Sequence, residues 1–162
     1  VREGDLEAAR EASEEGLEIC RGLGDLWFVS YFEWIRSTAG RLAGDVAAAA
    51  EHATQALGVA RELGVPLLLV CALEASAAAA RSGGDHRAAL AHLQEAEALG
   101  RAGGVPGSYV SEVFRALAEL AAECGDTARA SALAGEALEL ARAVGDVWAE
   151  RRAADQLAAI AG

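Results

Sequence analysis

The sequence predicts an all-α protein, a curved superhelix of eight antiparallel helices, and three observations predict it. Hydrophobic residues make up 53 % of the 162 residues but aromatic ones only 5 %, because alanine, the best helix former, carries much of the apolar content. Gly-Asp recurs at Gly4-Asp5, Gly44-Asp45, Gly84-Asp85 and Gly125-Asp126, in steps of 40, 40 and 41 residues, and a second glycine (Gly24, Gly64, Gly104, Gly145) follows each 20 residues later. Between these signals apolar residues return every three or four positions, and no stretch alternates like a strand.

The helices are expected near 5–23, 25–43, 45–63, 66–82, 85–102, 107–123, 126–144 and 146–161. Glycine ends a helix in the left-handed conformation, and aspartate opens the next by accepting from its free N–H groups. Asp5, Asp45, Asp85 and Asp126 open the odd-numbered helices; Asp25 and Asp146 open the second and the last. At the fourth and sixth helices Val-Pro replaces Asp, and Pro66 and Pro106 are expected in the first helical turn. The second helix carries a wide stripe of Trp27/Phe28, Tyr31/Phe32, Trp34/Ile35, Thr38/Ala39 and Leu42. The odd-numbered helices carry small-residue columns, Ala9, Ala49, Ala89 and Ala130, then Gly16, Ala56, Ala96 and Ala137, which let axes approach to ~8 Å. The glycine-rich "GRAGGVPGS" at 100–108 reads as another helix end, with one inserted residue, and is the expected mobile joint. It lacks the lysine of a phosphate-binding loop, as does the whole chain. No helix pair buries its own apolar face, so units of about 4–43, 44–83, 84–124 and 125–162 must stack into one domain spanning 1–162. The absence of methionine suggests a piece of a larger protein.

The runs "GDLEAAREASEEGL", "GDVAAAAEHATQAL", "GDHRAALAHLQEAE" and "GDTARASALAGEAL" resemble the second helix of the tetratricopeptide repeat, with its Gly-Asp start and spaced alanines. Gly16 replaces the second alanine in the first run, and Glu97 replaces leucine in the third. The resemblance covers the whole chain and implies a right-handed α-α superhelix, a solenoid. The unit is longer than the usual 34 residues of that family, and such long units are similar to those of large ATP-binding bacterial transcription regulators of the LuxR and maltose-regulator type. It implies a sensor arm that binds an effector or partner while other domains bind ATP and DNA.

Bulk chemistry narrows the function. A net charge of −11 repels phosphate backbones, so no direct nucleic-acid contact is expected. The longest apolar run, "VPLLLVCAL", is far too short for a membrane span. Cys20, Cys71 and Cys124 are odd in number and widely spaced, as in a reducing cytoplasm, and form no zinc motif. His52 and His92 share a repeat column, but two histidines one helix apart are expected to pack rather than hold metal. No metal or cofactor is expected, and no spacing proposes a catalytic pair or triad, so the expectation is a non-enzyme.

In this repeat class the first helix of each pair lines the concave side. Its expected ligand- or partner-binding residues are Tyr31, Trp34 and Arg41, then Glu74 and Arg81 with Cys71 close by, then Glu112, Arg115 and Glu119, and finally Arg152. Arginine forks take carboxylates or phosphates, and aromatic rings anchor apolar groups. The expected partner is a protein or peptide segment or a small effector. The alternative is a structural arm without ligand, forming a homodimer through terminal helices that expose Val147, Trp148, Leu157 and Ile160.

Overall fold

The computed structural model describes residues 3–161, with the side chains of residues 3–7 and 9 outside the description. The described chain is all-helical: α1 (Glu3–Leu23), α2 (Leu26–Leu42), α3 (Val46–Leu63), α4 (Pro66–Ser82), α5 (His86–Ala102), α6 (Gly107–Glu123), α7 (Thr127–Val144) and α8 (Val147–Ala161). None of these helices is long and apolar enough to cross a membrane.

The boundaries follow the predicted chemistry. The carboxylates of Asp25, Asp45, Asp85 and Asp126 accept from Phe28 N, Ala48 N, Ala88 N and Arg129 N, three residues on, and Asp146 accepts from Trp148 N and Ala149 N. Asp5 does not open the first helix as expected, because α1 already includes Glu3 and Gly4; the Asp5 side chain lies outside the described ones. Pro66 opens α4 as expected. Pro106 does not sit in the first turn of α6; it is the cap residue itself, with ψ 138°, and its carbonyl accepts from Tyr109 N. The residue inserted in this half-unit moves the helix start beyond the proline.

The packing explains the glycines of 100–108. Gly103 and Gly104 hold φ of 90° and 85°, where side chains are disfavoured. Gly100 and Gly107 serve close approach: an added Cβ would lie 2.9 Å from Val110 and 2.6 Å from Val144.

The hairpins α2–α3, α4–α5 and α6–α7, each turning through Gly-Asp, pack most closely, and α5–α6 is the most open junction. Backbones of the even helices approach each other in order, α2 to α4 to α6 to α8, whereas among the described residues no such approach joins the odd helices. The stack is therefore curved, with the even helices inside and the odd ones splayed outside. Alanines let the layers close: Ala49, Ala89 and Ala130 are at most 2 % exposed, and Ala56, Ala96 and Ala137 are fully buried. Gly16 is required rather than degenerate, because a Cβ there would lie 2.6 Å from the tip of the Phe32 ring. Buried hydroxyls fasten the layers: Ser30 and Ser111, in one repeat column, donate to the Ala56 and Ala137 carbonyls.

Long side chains bridge the splayed outer helices. Arg21 donates to Gln55, Arg61 to Glu95 and Arg101 to Glu136, at 3.1, 3.1 and 2.9 Å. Arg101 also lies 4.7 Å over the buried Phe114 ring and so braces α6 across the open junction.

Candidate functional site

The inner face is built from four columns on the even helices. Counting back from the next Gly-Asp glycine, one column holds Tyr31, Cys71 and Glu112; a second, three residues on, holds Trp34, Glu74 and Arg115. The third holds Thr38, Ala78 and Glu119, and the fourth Arg41, Arg81 and Ala122. Steps of three, four and three place all four on one helical face. In the outer columns small residues repeat because packing demands it; here three of the four columns carry different chemistry in each copy, and only the fourth repeats an arginine, Arg41 and Arg81.

This face encloses two adjoining cavities. The larger, about 680 Å³, lies between Trp34 and Arg41 of α2, Cys71 and Glu74 of α4, Tyr109 and Arg115 of α6, and Arg152 of α8. The smaller, about 270 Å³, continues toward Arg81 and Glu119. Arg41, Glu74 and Arg115 line both and form the waist between them. Glu74 sits on the central helix, with a cation on the helix at either side.

The curvature is tight enough that rings from α2 and α6 meet across α4. The centroids of Trp34 and Tyr109 are 6.4 Å apart, and a ring series runs outward from Trp34 to Tyr31 at 5.5 Å and on to Trp27 at 5.7 Å. The buried indole Nε1–H of Trp34 has no acceptor among the described residues.

The charges pair unevenly. Glu112 accepts from Arg152 at 2.6 Å and from Arg115 at 3.0 Å. Glu119 accepts from Arg81 and from Arg115. Burial works to raise Glu119, but Arg115 and Arg81 outweigh it and hold the carboxyl below its ordinary range. Burial likewise works against the Arg115 charge, and Glu119 and Glu112 reverse the balance.

Arg41 and Glu74 stand apart from this network. Among the described residues neither has a hydrogen bond or an ion pair within 4.0 Å. The repeat explains Arg41: Arg81 meets Glu119 on the next inner helix, and the position equivalent to Glu119 opposite Arg41 is Ala78. Glu74 has its pKa raised, first by burial, while the fields of Arg41 and Arg115 oppose the shift without cancelling it. Burial pushes the neighbouring Cys71 thiol up to about 12, so it is no nucleophile near neutrality.

Of the residues expected on this face, all but Tyr31 line the two cavities; Tyr31 packs behind Trp34. Tyr109, Ser108 and Asp146 also line the larger cavity and were not foreseen, because the turn before α6 and the start of α8 reach it only through the curvature. Leu157 and Ile160, expected on an exposed end, instead pack on the core, while Val147 and Trp148 are each 73 % exposed.

A second polar cluster, also unforeseen, lies away from the groove. Glu33, 1 % exposed, accepts from Arg21 at 2.7 Å and from His52 Nδ1 at 2.7 Å. Arg36 Nε donates to His52 Nε2, which fixes the imidazole proton on Nδ1 and blocks its other nitrogen. The cluster therefore ties α1, α2 and α3 together. Among the described residues no three His, Cys, Asp or Glu side chains are placed to hold a metal ion.

No known protein-family model matches the chain, and neither does any curated protein.

Proposed function

We propose that this chain is a non-catalytic recognition module of the tetratricopeptide type that takes a partner segment or small effector on its concave face. The observation that carries this reading is the contrast between constant and varied columns. Buried alanine recurs in the packing columns of α3, α5 and α7, while the inner face changes from aromatic to acid to base at one repeat position, Trp34, Glu74 and Arg115. A solenoid needs no such variety for stability; a binding surface does. The setting proposed is a larger cytoplasmic regulator of bacterial transcription, as the long-unit resemblance implies, with ATP and DNA handled by other domains. The test is a peptide and metabolite screen read by amide and indole NMR. Ligands should shift signals of α2, α4 and α6, and binding should weaken in Arg41→Gln and Glu74→Gln. Binders whose footprints lie on the odd helices, indifferent to both substitutions, refute the reading.

One observation favours a second reading, a self-associating arm. Val144, Val147 and Trp148 form an exposed apolar corner at the α7–α8 turn, 51 %, 73 % and 73 % exposed. Light scattering distinguishes it: a dimer that Trp148→Ser converts to monomer supports the arm, and a monomer at high concentration removes it.

A further inference from the structure

The two unpaired charges of the groove define a ligand chemistry. Arg81, Arg115 and Arg152 already bind carboxylates, and Glu112 and Glu119 already bind arginine. Asp146, at the cavity rim, caps α8. What remains among the described residues of this face is a free guanidinium fork on α2, Arg41, and a free carboxyl on α4, Glu74. They face the same 680 Å³ cavity and stay more than 4.0 Å from each other. Arg41 is exposed and Glu74 half-buried, so a ligand with a single charge satisfies one of them and leaves the other without a partner once the ligand fills the cavity. A ligand with both charges on one carbon bridges the gap. Its carboxylate lies in the Arg41 fork and its ammonium on Glu74. Beside them stand the Trp34 and Tyr109 rings, a surface for a large apolar side chain, and the cavity lies within the ~300–1,000 Å³ usual for small-ligand sites.

We infer that the concave cavity binds a small zwitterion, a free α-amino acid with an aromatic or large aliphatic side chain. This rests on the concave-face reading above and names its ligand. The ligand is carried whole, with no bond made or broken. Because burial raises Glu74 in the free protein, an ammonium seated on it favours the ionised form, and binding releases protons. Affinity therefore falls as pH drops below the free-state pKa of Glu74.

The experiment uses the chain as it stands and follows its three tryptophan indole N–H signals by ¹⁵N NMR, with Trp34→Phe for assignment. The probes are L-phenylalanine and L-leucine, with phenethylamine carrying the ammonium alone and 3-phenylpropionate the carboxylate alone. The expected result is that an amino acid shifts the Trp34 signal and that both single-charge analogues bind at least ~10-fold more weakly, which corresponds to ~1.4 kcal/mol. Arg41→Gln should weaken the amino acid and the propionate but not the amine; Glu74→Gln should weaken the amino acid and the amine but not the propionate. Arg61→Gln, on the outer face, should change none of them. Single-charge analogues that bind as well as the amino acid overturn the inference, as does an amino acid that leaves Trp34 unmoved. A peptide that shifts Trp34 when no amino acid does sinks the zwitterion alone and leaves the concave-face reading standing.

Discussion

Helix glycines in this chain sort by the room around them, and alanine substitution measures that room. Gly58 and Gly135 sit in the middle of α3 and α7, and an added Cβ meets nothing within 4 Å at either. Alanine there should stabilise by ~0.5–1 kcal/mol through helix propensity alone. At Gly16 the same propensity gain competes with a clash. The new carbon would lie 2.6 Å from Phe32 Cζ and 2.9 Å from both Cε atoms. Carbon atoms rest at ~3.5–4.0 Å, so the ring must retreat by about 1 Å. Overpacking of this kind costs ~1–3 kcal/mol, which exceeds the gain. Gly16→Ala should therefore destabilise by up to ~2 kcal/mol where Gly58→Ala stabilises, under the same propensity and packing rules. Urea denaturation followed by far-UV circular dichroism measures both, with the slope m compared to exclude a change in cooperativity. The cause is isolated by Phe32→Leu, in which the alanine penalty should vanish. A Gly16→Ala protein as stabilised as Gly58→Ala, or a penalty that persists in the Phe32→Leu background, refutes the packing argument.

Glu74→Gln should raise thermal stability near pH 7 and have no effect near pH 4. The raised folded-state pKa means that the wild-type carboxyl stabilises fully below its unfolded value of about 4.5 and loses that contribution as pH rises through the folded value. Denaturation midpoints across this range check the sign, and a uniform effect at both ends contradicts it. Among the cysteines, Cys124 should react with a thiol reagent in seconds to minutes at pH 8, while Cys71, buried and held near 12, should react only after unfolding. Native stability should also decline above pH 9, where the unfolded thiol ionises and Cys71 does not. Arg61→Gln breaks one exposed outer bridge and should cost no more than ~0.5 kcal/mol, with the cost gone in 1 M salt, as urea midpoints at two salt concentrations would measure.

Helix number, boundaries and small-residue columns were legible because each rests on local chemistry repeated in register. The Asp caps from Asp25 on, the left-handed glycines and, in α3, α5 and α7, the alanines of the close contacts recur from unit to unit, and local rules suffice to read them. Pro106 was misplaced because the extra residue before α6 shifts the helix start beyond the reach of a rule about prolines. The arginine bridges had a signal that went unread: arginine stands 17 residues after every Gly-Asp glycine, at Arg21, Arg61, Arg101 and Arg142, and Gln55, Glu95 and Glu136 stand 11 after theirs. The Glu33–His52–Arg36 cluster had no such signal, since it occurs in one layer and depends on how two particular helices face each other. The inner-face residues were legible as a face, but their pairing was not. Arg81 and Arg41 occupy the same column and look alike in the sequence, and only their opposite neighbours, Glu119 and Ala78, separate them.

That difference between Arg81 and Arg41 also locates where a repeat array acquires specificity. Interaction in a stacked solenoid passes between equivalent positions of adjacent layers, so a charge at one position is neutralised by the column facing it. In the α4–α6 layer the facing column supplies Glu119, and the inner surface closes on itself with an ion-pair network. In the α2–α4 layer the same column supplies alanine, and the guanidinium is left open to the cavity. Glu74 stands at a position that is tryptophan one layer before and arginine one layer after, and that arginine, Arg115, is already held by Glu112 and Glu119. Both free charges thus arise from single departures in an otherwise matched array, and they arise on adjacent helices around one cavity. A fold held by alanine contacts and outer bridges tolerates those departures without losing its packing, because neither residue belongs to the buried columns that set the spacing of the helices.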